Sequence, residues 1–149
     1  MAKIAIMYGS KSDDSIMQGA FEVLDEFGVT FESTVLSAHR QPDKTAEFAR
    51  GAADRGVKVI IAGAGLSAAL PGVVAAHTIL PVIGIPIGAG PLNGVDALYS
   101  IVQMPKGIPV ATVGISNARN AALLAVQILA LSDDVLAGKL TDYRRKLSE

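Results

Sequence analysis

Cysteine is absent from all 149 residues, so no disulfide framework, thiolate metal site or thiol nucleophile can be built from this chain. Tryptophan is absent too, and only three Tyr and four Phe are present, which leaves little to stack on nucleobases or to enclose a flavin ring. Neither sign of charge dominates. Thirteen Lys and Arg stand against 14 Asp and Glu, for a formal net charge of −1, with no basic stripe to follow a phosphate backbone. Nucleic acid is therefore not an expected partner. Between Val59 and Val95 there is no Asp, Glu, Lys or Arg at all. A membrane span needs about 20 consecutive apolar residues, whereas Gly63, Gly65, Pro71, Gly72, Pro81, Gly84 and Pro86 interrupt this stretch. The expectation is instead of strands buried on both faces and helices covered by further copies of the chain, hence a homo-oligomer and no membrane. MAKIAIMYGS runs directly into a strand-like segment without a signal-type apolar region. With the lack of cysteine, this leads to the expectation of a cytoplasmic protein.

What is present is a repeated alternation of short apolar runs and helical spacing. Residues 3–7 are an apolar run ending in Tyr8-Gly9-Ser10, and the following segment repeats Ile16, Ala20, Val23, Leu24 and Phe27 at helical intervals. Gly28 stops that helix, residues 30–36 read as a second strand, and Pro42 stands where a first helical turn tolerates proline, in a helix expected to reach about residue 55. A third strand over 57–62 leads into a Gly-rich loop and a helix over 71–77. A fourth strand follows over 81–85, a helix over 95–102, a fifth strand over 108–113 and a helix over 117–131. A charged helix over about 132–147 closes the chain, expected to pack on another subunit. No repeat, linker or low-complexity segment divides residues 1–149, so one catalytic domain is expected. The alternation implies right-handed crossovers and an α/β domain, a doubly wound parallel sheet with helices on both faces. Ligands bind such sheets outside the carboxyl ends of the strands.

Three loops at those ends carry candidate chemistry. The first, Gly9-Ser10-Lys11-Ser12-Asp13, offers a glycine, two hydroxyls and free N–H groups at a helix start, the equipment of an anion site. Asp13 suits either a helix cap or an acceptor for ribose hydroxyls, and spacing leaves both open. The second is Ser37-Ala38-His39-Arg40-Gln41-Pro42, where a histidine stands beside an arginine able to grip phosphate. His39 reads equally as a general acid/base or as solvated surface. The third, Gly63-Ala64-Gly65-Leu66-Ser67-Ala68, matches G-x-G-x-x-A formally. It follows the third strand rather than the first, and the next strand has no acidic residue to hold an adenosine ribose, so a nicotinamide cofactor is not expected. His77 lies in an apolar stretch and receives no role. No H-E-x-x-H or clustered carboxylates point to a metal, and no G-x-S-x-G elbow points to a serine hydrolase. A phosphoacceptor domain would need acidic residues at the ends of strands one and three, where Tyr8 and Gly63 stand.

Taken together, GSKSD at residues 9–13, SAHR at 37–40, AGAG at 62–65, LPG at 70–72 and YSIVQMPKGIPVATV at 99–113 resemble the N5-carboxyaminoimidazole ribonucleotide mutases of de novo purine biosynthesis over nearly the whole chain. The resemblance implies a flavodoxin-like three-layer sandwich, a homo-octamer, and no metal or organic cofactor. It also implies functional coupling to an ATP-dependent carboxyaminoimidazole ribonucleotide synthase. The implied reaction moves a carboxyl group from the exocyclic nitrogen to C4 of the aminoimidazole ribonucleotide by release and recapture of carbon dioxide. By motif, His39 would be the general acid/base, and Ser10, Ser12 and Asp13 would hold phosphate and ribose. Ser37 and Arg40 would bind near the phosphate, Ala38 would be a further substrate contact, and the backbone of Gly63, Ala64 and Gly65 would surround the base and carboxylate.

One departure bears on the reaction. The mutases commonly read AGAGGAAHLPG, whereas this chain has Leu66, Ser67 and, in place of the histidine, Ala69. Related carboxylases that use free carbon dioxide also lack that histidine, yet they usually read SAHK. Arg40 and SIVQMPKGIPV side with the mutases. A direct carboxylase is the alternative expectation, and a non-catalytic nucleotide-binding module a second.

Overall fold

Five consecutive apolar residues fit a strand only if both of its faces are covered. In the computed structural model, which describes residues Met1–Glu149, strand β1 (Ile4–Tyr8) is buried along its whole length and runs near the middle of a five-stranded parallel sheet. Its partners are β2 (Phe31–Val35) and β3 (Val59–Gly65), followed by β4 (Val82–Ile87) and β5 (Ala111–Thr112), in the order β2-β1-β3-β4-β5. Helices α1 (Asp14–Phe27), α5 (Ala118–Ala130) and α6 (Asp134–Leu147) cover one face. Helices α2 (Pro42–Gly51), α3 (Leu70–Ala75) and α4 (Val95–Val102) cover the other. This is the doubly wound, flavodoxin-like sandwich, and its topology reverses between β1 and β3, where such folds open a crevice. The register pairs Tyr8 with Val35 on one side and with Gly63 on the other. The ends of β1 and β2 are thus level, while β3 runs two residues further, and the loops following all three are delivered to one place.

The differences from the sequence expectations have physical causes. Strand β3 continues to Gly65 because β4 continues to Ile87 beside it, pairing Gly63 with Ile85, Ala64 with Pro86 and Gly65 with Ile87. The first half of the segment expected to be a glycine loop, Gly63–Gly65, is therefore strand. Strand β5 shrinks to Ala111–Thr112, because Pro109 lacks an N–H for a ladder and Gly107 sits at a φ of 106°. Helix α2 stops at Gly51 and a turn carries the chain to Gly56, at a φ of 91°. There the guanidinium of Arg55 lies over the Phe48 ring and donates to Glu32 Oε1 at 2.8 and 3.0 Å. Helix α6 is capped by Asp133, whose side chain accepts from the Leu136 N–H at 3.1 Å. It packs on α5, and its Tyr143 ring lies against Phe27.

Candidate functional site

The first loop is built by short-range hydrogen bonds that leave its polar groups facing outward. Ser10 is extended and caps a single 3-10 turn, residues Lys11–Asp13. Its Oγ accepts from the Ser12 N–H at 3.3 Å and lies 2.8 Å from Ser12 Oγ. Asp13 stands at the cap position of α1 yet makes no side-chain capping bond. Burial, and after it the charge of Asp14, pushes the Asp13 carboxyl above its ordinary range. Asp14 is otherwise engaged, since Tyr8 Oη donates to its Oδ1 at 2.6 Å. Burial first, and then that bond, push the Tyr8 phenol up to about 12.

The second loop is a closed turn. The N–H of Gln41 donates to the Ser37 carbonyl at 2.8 Å, and the Gln41 side chain accepts from the Ser37 N–H at 3.2 Å. Ser37 Oγ accepts from the Arg40 N–H at 3.2 Å. Fully buried Thr45 anchors the turn to α2, donating from its hydroxyl to the Gln41 carbonyl at 2.9 Å. With its backbone satisfied internally, the turn holds His39 and Arg40 exposed at its tip. Arg40 is in no ion pair, so its charge is uncompensated within the chain.

These loops enclose a cavity of about 280 Å³, close to the lower size of ordinary small-molecule sites. Ser10, Ser12, Asp13, Ser37, Ala38, His39, Arg40, Ala64 and Gly65 all line it. Gly63 does not, because it faces the opposite side of the sheet, where an added Cβ would stand 2.8 Å from Met17 Sδ. Its missing side chain makes room for α1. At Gly65 a Cβ would come within 3.3 Å of Ala89 Cβ, so the glycine keeps the cavity wall thin. Beyond β3 the wall continues through Leu66, Ser67, Ala68, Ala69 and Leu70, and Ala89 joins it from the loop after β4. Leu66 adopts a φ of 56°, a left-handed conformation that leucine rarely takes. Ala89 was not singled out in the sequence, although its flanking Gly88 and Gly90 after the fourth strand are the available signal. His77, just past α3, is outside the cavity. No group of three or more His, Asp or Glu is placed to hold a metal ion.

The arrangement offers hydroxyls and a helix start for an anion, a carboxylate for hydroxyl groups, and an imidazole with an arginine beside uncharged walls. Comparisons with known proteins supply the family. The chain is 51% identical over 147 residues to the N5-carboxyaminoimidazole ribonucleotide mutase of Thermotoga maritima, covering 99% of this chain and 86% of that one. It is 52% identical over 146 residues to the phosphoribosylaminoimidazole carboxylase of Schizosaccharomyces pombe, covering 98% of this chain but 26% of the fungal protein. The crystal structure of PurE from Treponema denticola superposes with a TM-score of 0.87 at 31% identity, covering 97% of this chain and 90% of that one. The family model described as AIR carboxylase matches residues 3–149, and the chain belongs to that family.

Proposed function

We propose that this protein converts N5-carboxyaminoimidazole ribonucleotide to 4-carboxyaminoimidazole ribonucleotide in purine biosynthesis, with His39 as general acid/base. The observation that carries the reading is that His39, Arg40, Ser10, Ser12 and the uncapped Asp13 line one cavity at the carboxyl ends of the strands. In this reading Ser10 and Ser12, at the start of α1, take the phosphate, and Arg40 and Ser37 add charge and a hydroxyl nearby. Asp13 accepts from the ribose hydroxyls. The N–C bond to the carboxyl group breaks, releasing carbon dioxide, and the protonated imidazole of His39 gives its proton to the exocyclic nitrogen. C4 of the ring then forms the new C–C bond to the carbon dioxide, and the proton on C4 leaves to His39. Imidazole suits both directions because it can take and give a proton near neutral pH. The walls at Ala64, Gly65 and Ala68 supply close, uncharged packing that keeps the carbon dioxide in place.

The same reading carries a homo-octamer, a cytoplasmic location, and supply of the substrate by an ATP-dependent carboxyaminoimidazole ribonucleotide synthase. Its support for assembly is a set of exposed apolar side chains on and around α4, including Leu92, Val95, Tyr99 and Val102. The name of the fungal relative keeps direct carboxylation as the competing outcome. One assay separates them: product formation from the N-carboxylated substrate, against formation from aminoimidazole ribonucleotide with bicarbonate or carbon dioxide. Turnover of the first alone is expected. Efficient turnover of the second with the first inert makes the enzyme a direct carboxylase, and silence with both leaves a binding module. His39→Asn is expected to lower kcat by about 10²–10⁴-fold while ribonucleotide binding stays close to the parent; unchanged turnover would remove His39 from the mechanism.

A further inference from the structure

Tyr8 has no part in the reaction as described, yet its placement bears on the loop that does the binding. It is the last residue of β1, buried to 6% exposure, with its ring packed on the α1 and α5 face. Its hydroxyl reaches Asp14 Oδ1 at 2.6 Å, the length of a charge-assisted O–H···O⁻ bond. Asp14 is the first residue of α1, and its N–H closes the preceding 3-10 turn by donating to the Lys11 carbonyl. The bond therefore joins the two residues that flank Gly9, Ser10, Lys11, Ser12 and Asp13. Within that segment the bonds are local, the Asp13 N–H to the Ser10 carbonyl at 3.0 Å and the Ser10–Ser12 pair. Around Gly9 there is open space, so packing does not restrain it.

We propose that Tyr8 is a positioning residue for the anion-binding loop: by donating to Asp14 it closes the segment between them and holds the Asp14 charge out of the cavity, where it would repel a phosphate. Asp14 is absent from the cavity lining while Asp13, its neighbour, is part of it. The high proton affinity of the phenol keeps it a neutral donor throughout the working pH range, so the polarity of the bond does not change. Without the hydroxyl, Asp14 is free to turn toward the same N–H groups that the substrate phosphate needs.

The inference rests on the ribonucleotide reading of the cavity, and a binding measurement keeps the two apart. Tyr8→Phe retains the ring and its packing. It is expected to weaken calorimetric binding of aminoimidazole ribonucleotide, and to raise KM for the N-carboxylated substrate, by on the order of tenfold, with kcat within about twofold. Asp14→Ala removes the tie but also the charge that would turn inward, so it is expected to lose less than Tyr8→Phe, and the double variant to be no worse than Tyr8→Phe. Asp14→Asn keeps an oxygen acceptor for the phenol and should recover most of what Asp14→Ala loses. Tyr8→Phe that melts earlier but binds like the parent would overturn the proposal, leaving a purely structural bond, as would strictly additive losses in the double variant. A parent that does not bind the ribonucleotide overturns the site reading and this proposal together, whereas an intact parent with an unaffected Tyr8→Phe overturns this proposal alone.

Discussion

Asp13 shows how a single residue can be placed against its own stability. A carboxylate at a helix start normally gains by capping, yet this one makes no cap bond and is instead partly desolvated beside Asp14. Its carboxyl is raised above the ordinary value, so the folded protein holds that proton more tightly than the unfolded chain does. The associated stability is present at acid pH and is lost as pH rises through the raised folded value; at neutral pH the ionised group is a net cost. Asp13→Asn is therefore expected to leave Tm at pH 7 equal to or above that of the parent in calorimetry, with any gain vanishing near pH 3. The same variant should weaken ribonucleotide binding by on the order of tenfold. A lower Tm at pH 7 with unchanged binding would show that Asp13 acts as a cap after all. The sequence left these two roles open because an aspartate before a helix satisfies the same spacing in either case. Only the direction of its side chain separates them, and that is visible in the folded chain alone.

At the scale of elements, the loop carrying His39 depends on a residue that no motif marks as chemical. Thr45 is fully buried in α2, and its hydroxyl donates to the carbonyl of Gln41, the residue whose N–H closes the His39 turn. Thr45→Val preserves shape while removing that donor. It is expected to lower unfolding free energy by about 1 kcal/mol, read as a smaller urea midpoint with an unchanged slope, and to reduce kcat several-fold by loosening the tip. Unchanged kcat would mean that the remaining bonds of Ser37 and Gln41 hold His39 by themselves. Helices α1, α4 and α5 were legible to within a residue or so, because amphipathic spacing and punctuating glycines act locally. Strand ends were less so. The glycines at 63 and 65 carry the composition of a loop, and they become strand only because β4 lies alongside to complete the ladder. That pairing also sends Gly63 and Gly65 to different tasks, one accommodating Met17 and the other thinning the cavity wall.

The molecule as a whole leaves several apolar side chains uncovered, and a group of them lies around α4. Leu92, Val95, Tyr99, Val102, Ile108 and Ile115 are exposed on and around α4, and Asp96 Oδ1 among them is buried with no hydrogen-bond partner in the chain. No helix is long and apolar enough to cross a membrane. An apolar surface enclosing an unpaired acceptor is the character of a face that a second copy covers. Light scattering is expected to give a mass several times the 15.4 kDa of the chain, and Tyr99→Lys to lower it. A stable monomer of the parent would overturn the assembly reading.

Residue order by itself determined the alternation of strands and helices, the parallel sheet, and the three candidate loops at the strand ends, because periodicity, proline and glycine act over a few residues. It also named His39, Arg40, Ser10, Ser12 and Asp13, since reactive side chains at strand ends are visible in a linear string. The tertiary structure decided which of them share a cavity, that Gly63 turns away from it, that Asp13 makes no capping bond, and that Tyr8 donates to Asp14 at the start of α1. Those outcomes depend on register and on contacts between residues far apart in the chain, where neighbouring strands and helices, rather than local preference, set the direction of each side chain.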